Sequence, residues 1–151
     1  MSDAITVRLR EVIAADLPMH FAQQCDPESS RMAAVASRDR PAFDAHWAKI
    51  LVDPTVVIRT VLADGEPAGS VLSFVLDGQR QVGYWIAREH WGKGIATAAL
   101  GQLLEDLPER PLFARVAADN HGSRRVLEHC GFQPVGEERD EDVRVLVLRL
   151  G

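Results

Sequence analysis

Apolar positions change their period several times along this chain, and the changes lay out its elements. Val7 and Leu9 alternate with Arg8 and Arg10, the period of two that gives a strand one dry face. From Leu17 the spacing becomes helical. Pro18 sits early, where its missing N–H costs little, and Asp16 is placed to cap the helix. Residues 26–40 are polar and irregular, with Asp26-Pro27 and Ser29-Ser30-Arg31 among them. A second helix is expected from near Pro41, burying Phe43, Trp47, Ile50 and Leu51.

The pattern then turns extended. Residues 55–63 are rich in β-branched side chains and read as a strand. Asp64-Gly65-Glu66-Pro67 reads as a turn, so residues 68–76 pair back as a hairpin. Asp77-Gly78 is a second turn signal, and residues 81–86 form the next strand. A third helix is expected over about residues 94–107, with Ala96, Leu100, Leu103 and Leu107 as its buried stripe and Pro108 and Pro111 ending it. Residues 112–117 read as a strand and 121–130 as a helix with Gly131 at its C-cap. Residues 133–138 and 143–150 close the chain as a hairpin around Arg139-Asp140-Glu141-Asp142. The order β-α-α-β-β-β-α-β-α-β-β predicts an α+β fold around one mixed sheet. No repeat, linker or low-complexity tract divides it, so residues 1–151 are expected to form a single domain.

Composition narrows the function classes. Seventeen basic against 22 acidic side chains leave a net charge of −5. That balance argues against a nucleic-acid or anionic-membrane binder, and suits solubility first and a cationic acceptor second. The two cysteines, Cys25 and Cys130, form no CxxC motif and no disulfide framework, and Cys130 reads as a buried thiol. No Cys/His spacing suggests a metal. Neither a signal pattern nor a run of 18 apolar residues is present, so a cytoplasmic location is expected. His20 and His46 fall in predicted helices at the spacing of partly exposed packing residues, and His90 and His129 sit beside the motifs described next.

The stretch that carries chemistry is Gly83-Tyr84-Trp85-Ile86-Ala87-Arg88-Glu89-His90-Trp91-Gly92-Lys93-Gly94-Ile95-Ala96-Thr97. A strand runs through a turn with two glycines into a helix. Helix N-termini carry free N–H groups and about +0.5 of dipole charge, which is a place for phosphate oxygens. A Walker-type loop is excluded, because Ala87 stands where a glycine is needed and Gly94 where Ser or Thr is needed. A dinucleotide fingerprint on Gly92 and Gly94 fails at Thr97 and lies too late in the chain.

Trp91-Gly92-Lys93-Gly94-Ile95-Ala96 resembles the acetyl-CoA pyrophosphate loop of the GNAT superfamily of N-acetyltransferases, with Trp91 departing from the usual Gln or Arg. That departure is similar to the branch containing ribosomal-protein N-terminal acetyltransferases. Asn120-His121-Gly122-Ser123 through Gly131-Phe132 resembles the family's second conserved segment. The resemblance covers roughly residues 55–150 and is weakest before them.

It implies a mostly antiparallel sheet splayed between strands 4 and 5, with acetyl-CoA as co-substrate. Trp85, Ile86 and Ala87 would offer backbone to the pantetheine arm. The amides of Gly92, Lys93, Gly94, Ile95, Ala96 and Thr97 would hold the pyrophosphate. Asn120 would meet a pantetheine amide or cap the following helix, and Arg124 and Arg125 are candidates for the 3′-phosphate. The family's thiolate-protonating tyrosine aligns with Leu127, so Ser123 becomes the candidate proton donor, and Tyr84 reads as packing. The strand-four glutamate is absent, which leaves the base to a water chain or to a carboxylate such as Asp26 or Glu28. The implied reaction moves an acetyl group onto a primary amine by direct attack on the thioester. The implied acceptor is a small-molecule amine or a protein or peptide N-terminus, met by a groove that the segment from Asp16 to Asp53 shapes and in which Phe43, Trp47 and Arg31 face either the core or the substrate. A homodimer through the last strands is compatible. The missing tyrosine and glutamate also fit a non-catalytic acyl-CoA sensor of the same fold.

Overall fold

Two tight turns set the middle of the sheet. Asp64 and Gly65 have φ of 50° and 85°, and Asp77 and Gly78 have 52° and 76°. Left-handed backbone at both central positions is what a two-residue hairpin with matching strand twist needs. The first turn joins β2 (Val57–Ala63) to β3 (Glu66–Leu76), and the second joins β3 to β4 (Gln79–Ile86). Glu66 and Pro67 therefore belong to β3, and β4 starts two residues before the expected position.

The structure is a computed structural model that describes residues 5–28, 37–140 and 143–151. Arg31, Glu141 and Asp142 lie outside the described residues. The remaining strands are β1 (Val7–Glu11), β5 (Leu112–Ala117), β6 (Gln133–Asp140) and β7 (Val143–Leu150). One sheet runs in the order β1-β2-β3-β4-β5-β7-β6. Every neighbouring pair is antiparallel except β4 and β5, which are parallel and register only at Gln81 and Phe113.

Both faces of the sheet are covered. Helix α3 (Ile95–Asp106) buries Ile95, Ala99, Leu100, Leu103 and Leu104 against Val61, Val71, Val82 and Leu148. Its stripe is centred one residue away from the expected one, so Ala96 lies at the edge and is half-buried. Helix α4 (His121–His129) adds Leu127 to this core. It ends as expected at Gly131 (φ 100°), with Phe132 N–H donating to the Leu127 carbonyl and Gly131 N–H to that of Glu128. Cys130, the C-cap residue, is half-buried rather than sealed, and its thiol faces the Thr97 carbonyl at 3.8 Å.

Helix α1 (Leu17–Cys25) and helix α2 (Arg40–Val52) carry the aromatic cluster Phe21, Phe43, Trp47 and His20. His20 and Asp16 meet Thr60, which neighbours Val61 in β2, so this cluster lies on the face opposite the α3 core. Leu51, expected in the core, is 41% exposed. At 3.6 residues per turn it points about 80° away from Phe43, the buried residue of α2. Asp16 does not cap α1, because its carboxylate is taken by Arg10 through two hydrogen bonds of 2.7 and 2.8 Å, by the Ile13 N–H and by the Thr60 hydroxyl. Among the described residues no helix is long and apolar enough to cross a membrane.

Candidate active site

The single register point between β4 and β5 is the root of the site. Beyond Gln81 and Phe113 the two strands part, and the β4 edge is left without a partner strand. Which backbone groups face that opening follows from the pairing with β3. Ala87 N–H donates to the Ala68 carbonyl at 2.8 Å, and Ile86 registers with Gly69. Hydrogen-bonding groups alternate sides along an antiparallel pair, so those of Trp85 and Ala87 are committed to β3 and those of Tyr84 and Ile86 face the opening.

The strand leads into a short turn at Arg88–His90 and then into the glycine loop. Gly92 and Gly94 have φ of 75° and 77°, and a Cβ built at either would meet open space. Conformation, rather than crowding, is therefore what calls for glycine there. Gly94 is the N-cap of α3 and supplies no side-chain cap. The first helical bond joins Ala98 N–H to the Gly94 carbonyl, leaving the amides of Ile95, Ala96 and Thr97 without a protein acceptor among the described residues. Lys93 is exposed, and the Ile95 side chain is buried, so the latter can contribute backbone alone. Trp91 has a structural reason to replace the usual Gln or Arg: its indole N–H donates to the Ile86 carbonyl at 2.7 Å and ties the loop to the strand end.

On the far side of the opening, α4 brings Asn120 and Ser123. Asn120 is the N-cap, its side chain accepting from the Ser123 N–H at 3.2 Å. The Ser123 hydroxyl lies 2.6 Å from the phenol of Tyr84. This pairing was not legible from the sequence, where Tyr84 reads as packing. The available signal was strand alternation, which places Tyr84 with Val82 and Ile86 on the α3 and α4 face. Burial pushes the Tyr84 phenol up to about 12, while the hydrogen bond with Ser123 opposes the shift. Arg124 is bound to Glu128 one turn on, at 2.6 Å. Arg125 is exposed and has no ion-pair partner among the described residues, so it is the better placed of the two to meet a phosphate. Leu127 is buried and has no part in the opening.

The side formed by α1 holds charged groups of a different kind. Arg88 binds Asp26 bidentately, at 3.0 and 2.5 Å, so that carboxylate is engaged rather than poised to take a proton. His20 is 3% exposed, not partly exposed as expected, and stacks on Trp47 with ring centroids 4.7 Å apart. Burial lowers its pKa to about 4, so it is a neutral member of a buried network.

Comparison with known proteins agrees with this geometry. The family model of the acetyltransferase (GNAT) domain matches residues 6–133. A Bacillus subtilis protein bearing the name "Putative ribosomal N-acetyltransferase YdaF" is 35% identical over 101 residues, 62% of this chain. The aligned part is 55% of that relative, so the chain spans little more than half its length. Among solved structures, the spermidine N-acetyltransferase of Vibrio cholerae in complex with CoA and spermine superposes with a TM-score of 0.84 at 18% identity, over 95% of this chain and 94% of that one. RimL, the ribosomal L7/L12 alpha-N-protein acetyltransferase in complex with coenzyme A, gives 0.81 at 15% identity, over 96% and 93%. At such identities the two structures speak for the fold, and the family model, which spans most of the chain, speaks for membership. An open β4 edge, a left-handed glycine loop and free first-turn amides are thus the features of a chain that belongs to the GNAT acetyltransferase family.

Proposed function

We propose that this chain is an acetyl-CoA-dependent N-acetyltransferase that moves the acetyl group to a primary amine without a covalent enzyme intermediate. The observation that carries the reading is the continuous path from the unpaired β4 edge to the unsatisfied amides at the start of α3. A pantetheine arm has amides that can pair with the outward-facing backbone of Tyr84 and Ile86, as an added strand does, whereas the backbone of Trp85 and Ala87, expected to serve the arm, is held by β3. A pyrophosphate suits the amides of residues 92–97, where the helix dipole adds its partial charge. Arg125 takes the 3′-phosphate, and Asn120 caps α4 while bordering the arm.

The amine reaches the thioester in its neutral form. An α-amine, with pKa near ~8, is partly neutral at physiological pH. Its attack on the carbonyl builds an oxyanion that backbone donors on β4 stabilise, the nitrogen gives up its surplus proton to water, and collapse of the adduct expels the coenzyme A thiolate. Ser123 donates to that sulfur, directly or through water. The relative named as a ribosomal N-acetyltransferase favours a protein N-terminus as acceptor, and the spermidine enzyme keeps a small polyamine as the alternative.

Isothermal calorimetry with acetyl-CoA is the direct test. Micromolar binding is expected, and Gly94→Trp, which puts a bulky side chain on left-handed backbone in the middle of the loop, should abolish it. No heat at high micromolar concentration would overturn the reading. Thiol release with peptides of free N-terminus, spermidine and an aminoglycoside then separates enzyme from sensor. Binding without turnover by any acceptor would favour the sensor, which the absence of a tyrosine at Leu127 also fits.

A further inference from the structure

The Tyr84–Ser123 hydrogen bond crosses the opening in the sheet. Tyr84 is on β4 and Ser123 is in the first turn of α4, 39 residues later, and their oxygens are 2.6 Å apart. Between these elements β4 and β5 no longer pair, so this contact is a bridge across the place where the split begins to widen.

A serine hydroxyl has one proton, two lone pairs and a freely turning C–O bond. Left alone, it points its proton wherever a local acceptor lies. Here the residue is held at both ends. Its N–H is bound to the Asn120 side chain, and its oxygen is bound to the phenol. The direction of the second bond decides what Ser123 can do. If serine donates to the phenol, its proton is spent. If the phenol donates to serine, the serine proton is free to point into the opening. Burial keeps the phenol protonated well beyond neutral pH. Ser123 is the hydrogen-bond partner found for the phenol among the described residues. Both side chains are half-buried, and of two paired hydroxyls the phenol is the more acidic and the poorer acceptor, so it donates to the serine oxygen.

We infer that Tyr84 is the positioning residue of the reaction, donating its phenolic proton to Ser123 so that the serine O–H is aimed at the sulfur of the departing coenzyme A. This inference rests on the acetyl-transfer reading above. When the C–S bond breaks, its electron pair stays on sulfur. The serine O–H hydrogen-bonds to that charge, the nitrogen of the adduct gives its surplus proton to water, and the thiolate takes a proton from water as the product leaves. Both side chains finish the cycle protonated, so no further reagent is required.

The test is a double-mutant cycle on purified protein, with acetyl-CoA and whichever of spermidine or a free-N-terminus peptide the wild type turns over. Tyr84→Phe keeps the ring and its packing and removes the hydroxyl alone. It is expected to lower kcat about tenfold, equivalent to ~1.4 kcal/mol in the barrier, with KM for acetyl-CoA changed less than about twofold. In a Ser123→Ala background the same change is expected to have no further effect on kcat. A Tyr84→Phe variant with full kcat overturns the inference, as does a loss that multiplies with that of Ser123→Ala. A fall confined to KM overturns it as well, because packing alone accounts for that. A wild type that turns over no amine defeats the acetyl-transfer reading itself and this inference with it. A turning-over wild type with an indifferent Tyr84→Phe defeats this inference alone.

Discussion

At Gly69 a single hydrogen atom decides whether β3 and β4 can meet. A Cβ there would fall 2.1 Å from the Trp85 carbonyl oxygen and 2.9 Å from the Ile86 Cα. Backbone cannot yield as a flexible side chain can, so Gly69→Ala must push apart the two strands that shape the site. A loss of about 1–3 kcal/mol is expected in urea unfolding, the cost typical of overpacking. An unchanged midpoint would mean that the strands have room to spare. The same scale marks the limit of sequence reading. Gly92 and Gly94 were legible because spacing alone sets them in a strand–loop–helix frame. Tyr84 was not, because its partner depends on which face of β4 lies under α4. The role of Asp16 was missed for a related reason: the capping pattern is local, whereas the guanidinium that claims the carboxylate comes from β1.

Between elements, that claim becomes a source of pH dependence. Arg10 on β1, Asp16 before α1, His20 on α1 and Thr60 on β2 form one chain of contacts. The Arg10 guanidinium, against the opposing effect of burial, holds the Asp16 carboxyl well below the usual carboxylate range. A depressed carboxylate contributes stability above its unfolded pKa of about 4 and loses it in stronger acid. His20 acts earlier. Burial lowers it from 6.5 to about 4, so between those values the unfolded chain binds a proton that the fold refuses. Stability therefore declines as pH falls through that window, by on the order of 3 kcal/mol in total. Urea midpoints at pH 7 and pH 5 measure this. Wild type should unfold distinctly earlier at pH 5, and His20→Gln should flatten the difference. Equal midpoints in wild type would exclude His20 as the source. The elements themselves were largely readable: among the described residues, the seven strands and four helices that periodicity predicted are present, within a few residues at their ends. Burial was less readable, since the faces of α2 and α3 turn on which helix or strand lies opposite.

For the molecule as a whole, the feature that matters is a sheet that is continuous at one end and divided at the other. A sheet edge left open inside a fold is normally a liability, and here it is flanked by a loop and a helix start with unused amides. Hydrogen exchange reads this directly. The amides of Tyr84 and Ile86 are expected to exchange faster than those of Gly83 and Trp85, which β3 protects, and to slow when acetyl-CoA is added. Slow exchange at Tyr84 and Ile86 in the free protein would contradict an open edge. The parting of β4 from β5 was anticipated only through the family resemblance. No periodicity along a single strand encodes where two parallel neighbours stop pairing.

The tether from Trp91 to Ile86 has an optical consequence. The chain has three tryptophans, and Trp47 is stacked on His20 while Trp85 lies within β4. Trp91 alone sits at the mouth of the glycine loop, 38% exposed, with its indole N–H fixed. An anion settling one residue away alters the field around that ring while the ring stays in place. Intrinsic emission should therefore follow occupancy of the loop without any added dye, and Trp91→Phe should silence the signal. The side chain that fastens the loop makes the protein its own fluorescent titrant.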